Sequence, residues 1–175
     1  MRLGIMCSGN GTNFENIDRT CSKDEVVLMI HNNKECGAAK REEKLGIAHC
    51  RISSKDEEQI VQLFKAWRVD LIVLAGWMKV ISPQLINAFP DRIINIHPSL
   101  LPKYKGLNAV QQALDSGDVV TGCTVHLVTE ELDSGKIILQ KKVLIDKNET
   151  EISLKKKILL QEHKLYSQSI ISLFK

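Results

Sequence analysis

In the segment RIINIHPSLLPKYKG, Arg92 to Gly106, an apolar strand carries Asn95 and His97 two residues apart and then breaks at Pro98. Side chains alternate along a strand, so both polar groups point to the same side. An amide donor beside an imidazole that can be charged near neutral pH suits acyl transfer, where donors must face the oxyanion developing on the reacting carbonyl. The plainer alternative is a histidine that caps or braces the loop. Such a site also needs a carboxylate to hold an imidazolium and manage protons. Asp133, in ELDSG, is the best candidate, although Asp in D-S-G is also an ordinary turn former.

A second candidate is the loop SGNGTN, Ser8 to Asn13. Its glycines let the backbone approach a ligand, and amides at a helix N-terminus favour an anion. The third glycine position of a dinucleotide fingerprint is Phe14, and the second strand closes on His31 and Asn32 rather than an acidic residue. The loop therefore suits one phosphate better than a pyrophosphate; a tight turn before a helix is the alternative. Among the other histidines, His126 alternates with Thr124 and Val128 and reads as structural, while His31 and His49 lie at strand ends without an evident partner. No H-x-x-x-H spacing occurs, so no metal is expected.

These residues need a scaffold, and strand-like and helix-like segments alternate from the first residue. RLGIMC, EVVLMIH, AHCRI, DLIVLAG, RIINIH, CTVHLV and KIILQKKVLI read as strands. Helices are expected over GTNFENIDRT, with Thr12 and Glu15 in capping-box spacing, and over Lys34 to Leu45. Ser54 and Glu57 form the same pattern ahead of Ile60, Val61, Phe64 and Trp67. Ser82 is a candidate N-cap with Pro83 at the first helical position, NAVQQALDSG makes a short helix, and one long helix runs from about Thr150 to Phe174. This order predicts a single α/β domain over residues 1–175, a doubly wound, Rossmann-like, mostly parallel sheet of about seven strands. Ligands bind such sheets at the carboxyl ends of the strands, where the loops after the first, fourth and fifth strands converge.

Composition narrows the class. Hydrophobic residues make up 43% of the 175-residue chain and charged residues 26%, as in ordinary globular domains. The longest apolar run, Leu71 to Met78, is far shorter than the roughly 20 residues a bilayer requires, so no membrane partner is expected. A net charge of +3, with its one basic run at Lys155 to Lys157 on a helical face, gives no nucleic-acid patch. Cys7, Cys21, Cys36, Cys50 and Cys123 are odd in number and lack C-x-x-C pairing, which suggests reduced thiols in a cytoplasmic protein.

Taken together, GNGTN, VLAGWMKVISP, INIHPSLLPKYKGL, TVHLVTEELDSGKIILQ and QEHKLY resemble the phosphoribosylglycinamide formyltransferase branch of the folate-dependent formyltransferases, enzymes of purine (IMP) biosynthesis. The resemblance extends from Met1 to the last helix and implies the formyltransferase fold. It implies transfer of the formyl group of 10-formyltetrahydrofolate, a co-substrate, to the amine of 5-phosphoribosylglycinamide by direct attack through a tetrahedral intermediate. Asn95, His97 and Asp133 would be catalytic, with Asp133 raising the pKa of His97. Gly11, Thr12 and Asn13 would hold the ribonucleotide phosphate, Gly76, Met78 and Pro98 would lie against the ribonucleotide, and Glu162 would meet its ribose or phosphate end. Met78, Lys79, Val80, Ile81, Asn95, Thr129 and Leu132 would line the folate pocket.

This chain departs from the family pattern at Lys79, where arginine is common, at Asn108 and Val110, where a His-x-His segment is frequent, and at Leu159, commonly polar. Rival readings are a 10-formyltetrahydrofolate hydrolase, which carries a further N-terminal domain whereas this chain opens on its first strand, and a methionyl-tRNA formyltransferase, which needs an RNA-binding domain and a stronger basic field. A third is a non-catalytic phosphate-ligand or nucleotide-binding module. A monomer and a homodimer both remain open.

Overall fold

The computed structural model describes residues 1–20, 26–34, 36–38 and 46–173. Seven strands are β1 (Leu3–Cys7), β2 (Val26–His31), β3 (His49–Arg51), β4 (Leu71–Leu74), β5 (Ile93–His97), β6 (Val120–Leu127) and β7 (Ile137–Leu144). They form one sheet in the order β3-β2-β1-β4-β5-β6-β7. The pairs β1–β2, β1–β4, β2–β3 and β4–β5 are parallel, and β6–β7 is antiparallel. Among the described residues the helices that join them are α1 (Thr12–Thr20), α2 (Glu57–Ala66), α3 (Pro83–Ala88), α4 (Ala109–Asp115) and α5 (Glu151–Leu173). The expected helix over Lys34 to Leu45 lies largely outside the described residues. Among those described, no helix is long and apolar enough to cross a membrane. The chain forms two compact units, Met1–Asn95 and Ile96–Leu173, described in turn.

In the first unit the strand order reverses between β1 and β4, which creates the switch point expected from the α/β pattern. Every residue of β1 and β4 is buried, as continuous apolar runs in a parallel sheet require. Phe14 and Ile17 of α1 and Ile60 and Phe64 of α2 are fully buried. Phe64 meets Phe89 edge-to-face, with ring centroids 6.2 Å apart. Gly4 makes room for this cluster, since a Cβ there would come within 2.6 Å of the Phe64 ring.

Local capping differs from the sequence pattern. The first residue of α2 is Glu57, and its cap is Asp56, whose carboxylate accepts from the Gln59 amide at 3.3 Å, so Ser54 is not the N-cap. Buried Glu57 instead accepts from the backbone and hydroxyl of Ser82. Ser82 does occupy the N-cap position of α3 with Pro83 next, but its side chain serves Glu57 rather than the helix. Thr12 is the first residue of α1 rather than its cap, and the Glu15 amide donates to the Gly11 carbonyl.

In the second unit β6 and β7 pair from Val120↔Leu144 to His126↔Ile137, with the register shifting between Val125 and His126. Helix α5 packs on both strands through buried Leu154, Ile158, Tyr166 and Ile170. The Lys155 to Lys157 run lies on the outer part of this helix, where Lys155 pairs with Glu151 and Lys157 contacts Asp146 and Glu149. Between β5 and α4 the chain is tied to β6 by a polar knot. Thr124 Oγ1 donates to the Ser99 carbonyl and accepts from the Leu101 amide, while the Gln140 amide reaches the Leu101 carbonyl. The Leu101–Pro102 peptide is cis.

Candidate active site

The end of β5 places Asn95 half-buried and His97 buried, two residues apart on one strand. His97 Nε2 lies 2.7 Å from the Tyr104 carbonyl. A carbonyl only accepts, so Nε2 carries a proton. The opposite nitrogen, Nδ1, faces Asp133 Oδ2 at 3.3 Å, and both side chains are almost wholly buried. Asp133 sits in the turn between β6 and β7 with φ 51, a left-handed conformation that aspartate tolerates better than most residues. Its Oδ2 also accepts the Gly106 amide at 2.8 Å.

Sequence reasoning assigned His126 a structural place, yet its Nε2 lies 3.5 Å from Asp133 Oδ1. Its Nδ1 donates to the Leu127 carbonyl at 2.8 Å. Two imidazoles therefore each commit an outer N–H to backbone and turn an inner nitrogen toward one carboxylate. A neutral ring would present a lone pair to that carboxylate, whereas a proton between them makes a charge-assisted contact. His97, Asp133 and His126 thus form one buried imidazole–carboxylate–imidazole group.

The electrostatics follow from burial. Burial alone would raise the Asp133 carboxyl, but His126, the Gly106 amide and the charge of His97 together hold it below the ordinary aspartate range. For His97, burial disfavours the cation and outweighs the Tyr104 carbonyl and Asp133, both of which pull upward, while His126 adds a further downward push. The net result is a His97 pKa below its ordinary value. Asp133 acts in the expected direction, and desolvation reverses the outcome. Cys123 is no nucleophile, because burial and then Glu162 push its thiol up to about 12.

Of the other expected residues in this unit, Pro98 is half-buried, Glu162 is buried on α5, and Thr129 and Leu132 are exposed near the Asp133 turn. Lys105 contacts both Glu131 and Ser134 across that turn.

In the first unit, Gly11 joins β1 to α1 with φ +73, and a Cβ there would lie 2.6 Å from that of Ala38, so only glycine fits. Thr12 and Asn13 open α1, half-buried and buried. The loops after β1 and β4 are laced together: the Ser8 amide donates to the Gly76 carbonyl at 3.0 Å, and the Met78 amide to Ser8 Oγ at 3.0 Å. Gly76, Met78, Lys79 and Val80 are exposed, whereas the Ile81 side chain is buried and offers a ligand only backbone. A cavity of about 570 Å³ opens here, with Met78 and Lys79 on one wall and Asn32, Arg51, Ser53 and Ser54 on others. Of these last four, Ser54 stood out in the sequence only as part of a capping pattern, and Asn32, Arg51 and Ser53 only by their place at or just after strand ends. His31 and His49, read as partnerless, have rings 5.8 Å apart, and His31 Nδ1 donates to the Asn33 carbonyl. Among the described residues no cluster of histidine, cysteine and carboxylates has the makings of a metal site.

A mostly parallel sheet with its switch point at β1 and β4 defines an α/β protein, and its strand β5 ends in an Asn-x-His pair whose histidine faces a buried carboxylate. The formyl transferase family model matches residues 1–170, and the chain belongs to that family. It is 37% identical over 97% of its length to the chloroplastic phosphoribosylglycinamide formyltransferase of Arabidopsis thaliana, of whose length it spans 64%. To the phosphoribosylglycinamide formyltransferase of Escherichia coli (strain K12) it is 36% identical over 95% of the chain, covering 84% of that protein. The crystal structure of the enzyme of that name from Bacillus Halodurans superposes with a TM-score of 0.93 at 36% identity, over 100% of this chain and 96% of the other.

Proposed function

We propose that this protein transfers the formyl group of 10-formyltetrahydrofolate to the amine of 5-phosphoribosylglycinamide. The observation that carries this reading is the Asp133 carboxylate bound between two imidazoles, one of them two residues from Asn95 on the same strand. The neutral amine attacks the formyl carbon, the C–N bond forms, and the carbonyl electrons move to oxygen. Asn95 and the His97 Nε2–H stabilise that oxyanion. A donor of this kind contributes on the order of 10²–10³ in rate. In the unliganded arrangement the Nε2–H rests on the Tyr104 carbonyl, and the substrate oxygen takes its place. The intermediate collapses by breaking the bond to the folate nitrogen. The amine gives up one proton and the folate nitrogen gains one, relayed by way of the Asp133 carboxylate and water, while the His97 Nε2–H stays on the oxyanion.

The substrate-binding roles rest on surface chemistry. Met78 and Val80 expose about three-quarters of their surface, an apolar patch suited to a flat pterin, beside Lys79. Gly11, Thr12 and Asn13, at the start of α1, suit the ribonucleotide phosphate, and Glu162, Pro98 and Gly76 the rest of it. In the second unit, exposed Thr129 and Leu132 are further candidates for contact with the folate. The free thiols of Cys7, Cys36, Cys50 and Cys123 accord with a reducing, cytoplasmic setting.

The deciding experiment follows release of the deformylated folate with the ribonucleotide present and absent. Turnover that requires the amine is expected. Equal turnover without it points to hydrolysis, and none with either acceptor reduces the protein to a binding module.

A further inference from the structure

Tyr104 occupies a left-handed backbone conformation, φ 56, unusual for a bulky aromatic residue and sustained only where surrounding contacts over-determine it. Those contacts are present. Its hydroxyl donates to Asp118 Oδ2 at 2.5 Å and lies 2.7 Å from Ser116 Oγ, while Lys103 reaches the same Asp118 oxygen at 2.6 Å. Lys103 and then the Tyr104 hydroxyl hold the Asp118 carboxyl below the ordinary range, so it is an acceptor throughout the working pH range. The ring is anchored at one end of the residue, and its carbonyl meets His97 Nε2 at 2.7 Å at the other.

We propose that Tyr104, anchored by Asp118, is a positioning residue for His97: its carbonyl fixes the proton on Nε2 and aims that N–H along the line on which the substrate oxygen arrives. The groups facing His97 are the Tyr104 carbonyl, Asp133 on the Nδ1 side and, beyond it, His126. Of these only the carbonyl selects the Nε2–H tautomer, because Asp133 alone would draw the single proton of a neutral ring to Nδ1. Without the carbonyl, the N–H that should face the oxyanion turns instead to the carboxylate. This deepens the formyl-transfer reading and rests on it for its kinetic consequence, though not for its structural one.

The test combines Tyr104→Phe, Asp118→Asn and Asp118→Glu with nitrogen-15 NMR of the His97 ring in the unliganded protein, at a pH above its titration. Wild type is expected to show the Nε2–H tautomer alone. Tyr104→Phe and Asp118→Asn are expected to mix in the Nδ1–H form and to lower kcat on the order of tenfold with little change in the ribonucleotide KM. Asp118→Glu should recover most of both signals. A wild-type ring protonated at Nδ1 overturns the proposal without any variant. So does a rate loss in folded variants whose His97 tautomer is unchanged. Because the tautomer is read without turnover, a failure of the formyl-transfer reading leaves this result separately legible.

Discussion

His126 Nε2 lies 3.5 Å from Asp133 Oδ1, across the carboxylate from the oxygen that faces His97. The aspartate is therefore supported on two sides, and its low pKa depends on both. His126→Ala removes one support and leaves buried Asp133 with less compensation for desolvation. Its carboxyl should titrate higher, the acid limb of kcat should move upward, and kcat should fall by roughly tenfold or more. The measurement is a kcat profile against pH. An unmoved acid limb with normal turnover would return His126 to a purely structural place.

Gly135 lies two residues after Asp133, and a Cβ there would stand 1.8 Å from the Leu127 carbonyl oxygen, which also accepts the His126 Nδ1–H. Gly135→Ala must displace that backbone, so it should destabilise the fold by about 1–3 kcal/mol or more. By disturbing the acceptor that orients His126 it should also depress kcat. Gly9→Ala is the contrast, since no atom lies within 4 Å of its added methyl, and a stability change within about 0.5 kcal/mol is expected. Denaturant midpoints at constant slope compare the two. Equal midpoints would mean that the β6–β7 turn yields more easily than its geometry implies.

Burial lowers the pKa of both His97 and His31 from 6.5. In the unfolded chain these rings take up protons near 6.5, whereas in the folded protein they remain neutral to lower pH. The unfolded state then binds more protons, so stability falls as pH drops below that value, by at most about 1.4 kcal/mol per pH unit for each ring. Asp133 has a depressed pKa, so its contribution is present above 3.8 and is lost as pH falls through the folded value. Unfolding midpoints measured on acidification should fall in two stages. His31→Gln should flatten the first, and an unchanged first stage would remove His31 from the account.

The legible parts of the sequence were those governed by local periodicity. Continuous apolar runs gave β1, β4 and β5, and the two-residue alternation placed Asn95 and His97 on one side. His126 escaped because the register shift between Val125 and His126 breaks that alternation, and because its partner stands across a turn whose conformation no pattern encodes. The cap of α2 was misplaced because D-x-x-Q at Asp56 and Gln59 competes with S-x-x-E two residues earlier. Tertiary contact decided the matter by drawing Glu57 to Ser82. His31 and His49 meet because β2 and β3 pair Met29↔His49 and His31↔Arg51, a register set by the whole sheet.

The roles given to His97 and Asn13 separate cleanly in kinetics. In the proposed reaction His97 donates to a charge that develops only toward the transition state, so His97→Ala should lower kcat by about 10²–10⁴ while leaving ribonucleotide affinity nearly intact. Asn13 lies buried in the first turn of α1, beside Gly11 at φ +73, and in the proposed reaction it binds phosphate in the ground state and the transition state alike. Asn13→Ala should therefore raise the ribonucleotide KM, on the order of tenfold, with a much smaller change in kcat. Steady-state kinetics with calorimetric binding of the ribonucleotide measures both. The assignment fails if the two effects are exchanged, because uniform binding at His97 and transition-state binding at Asn13 would place the reacting carbon at the α1 loop rather than at the end of β5.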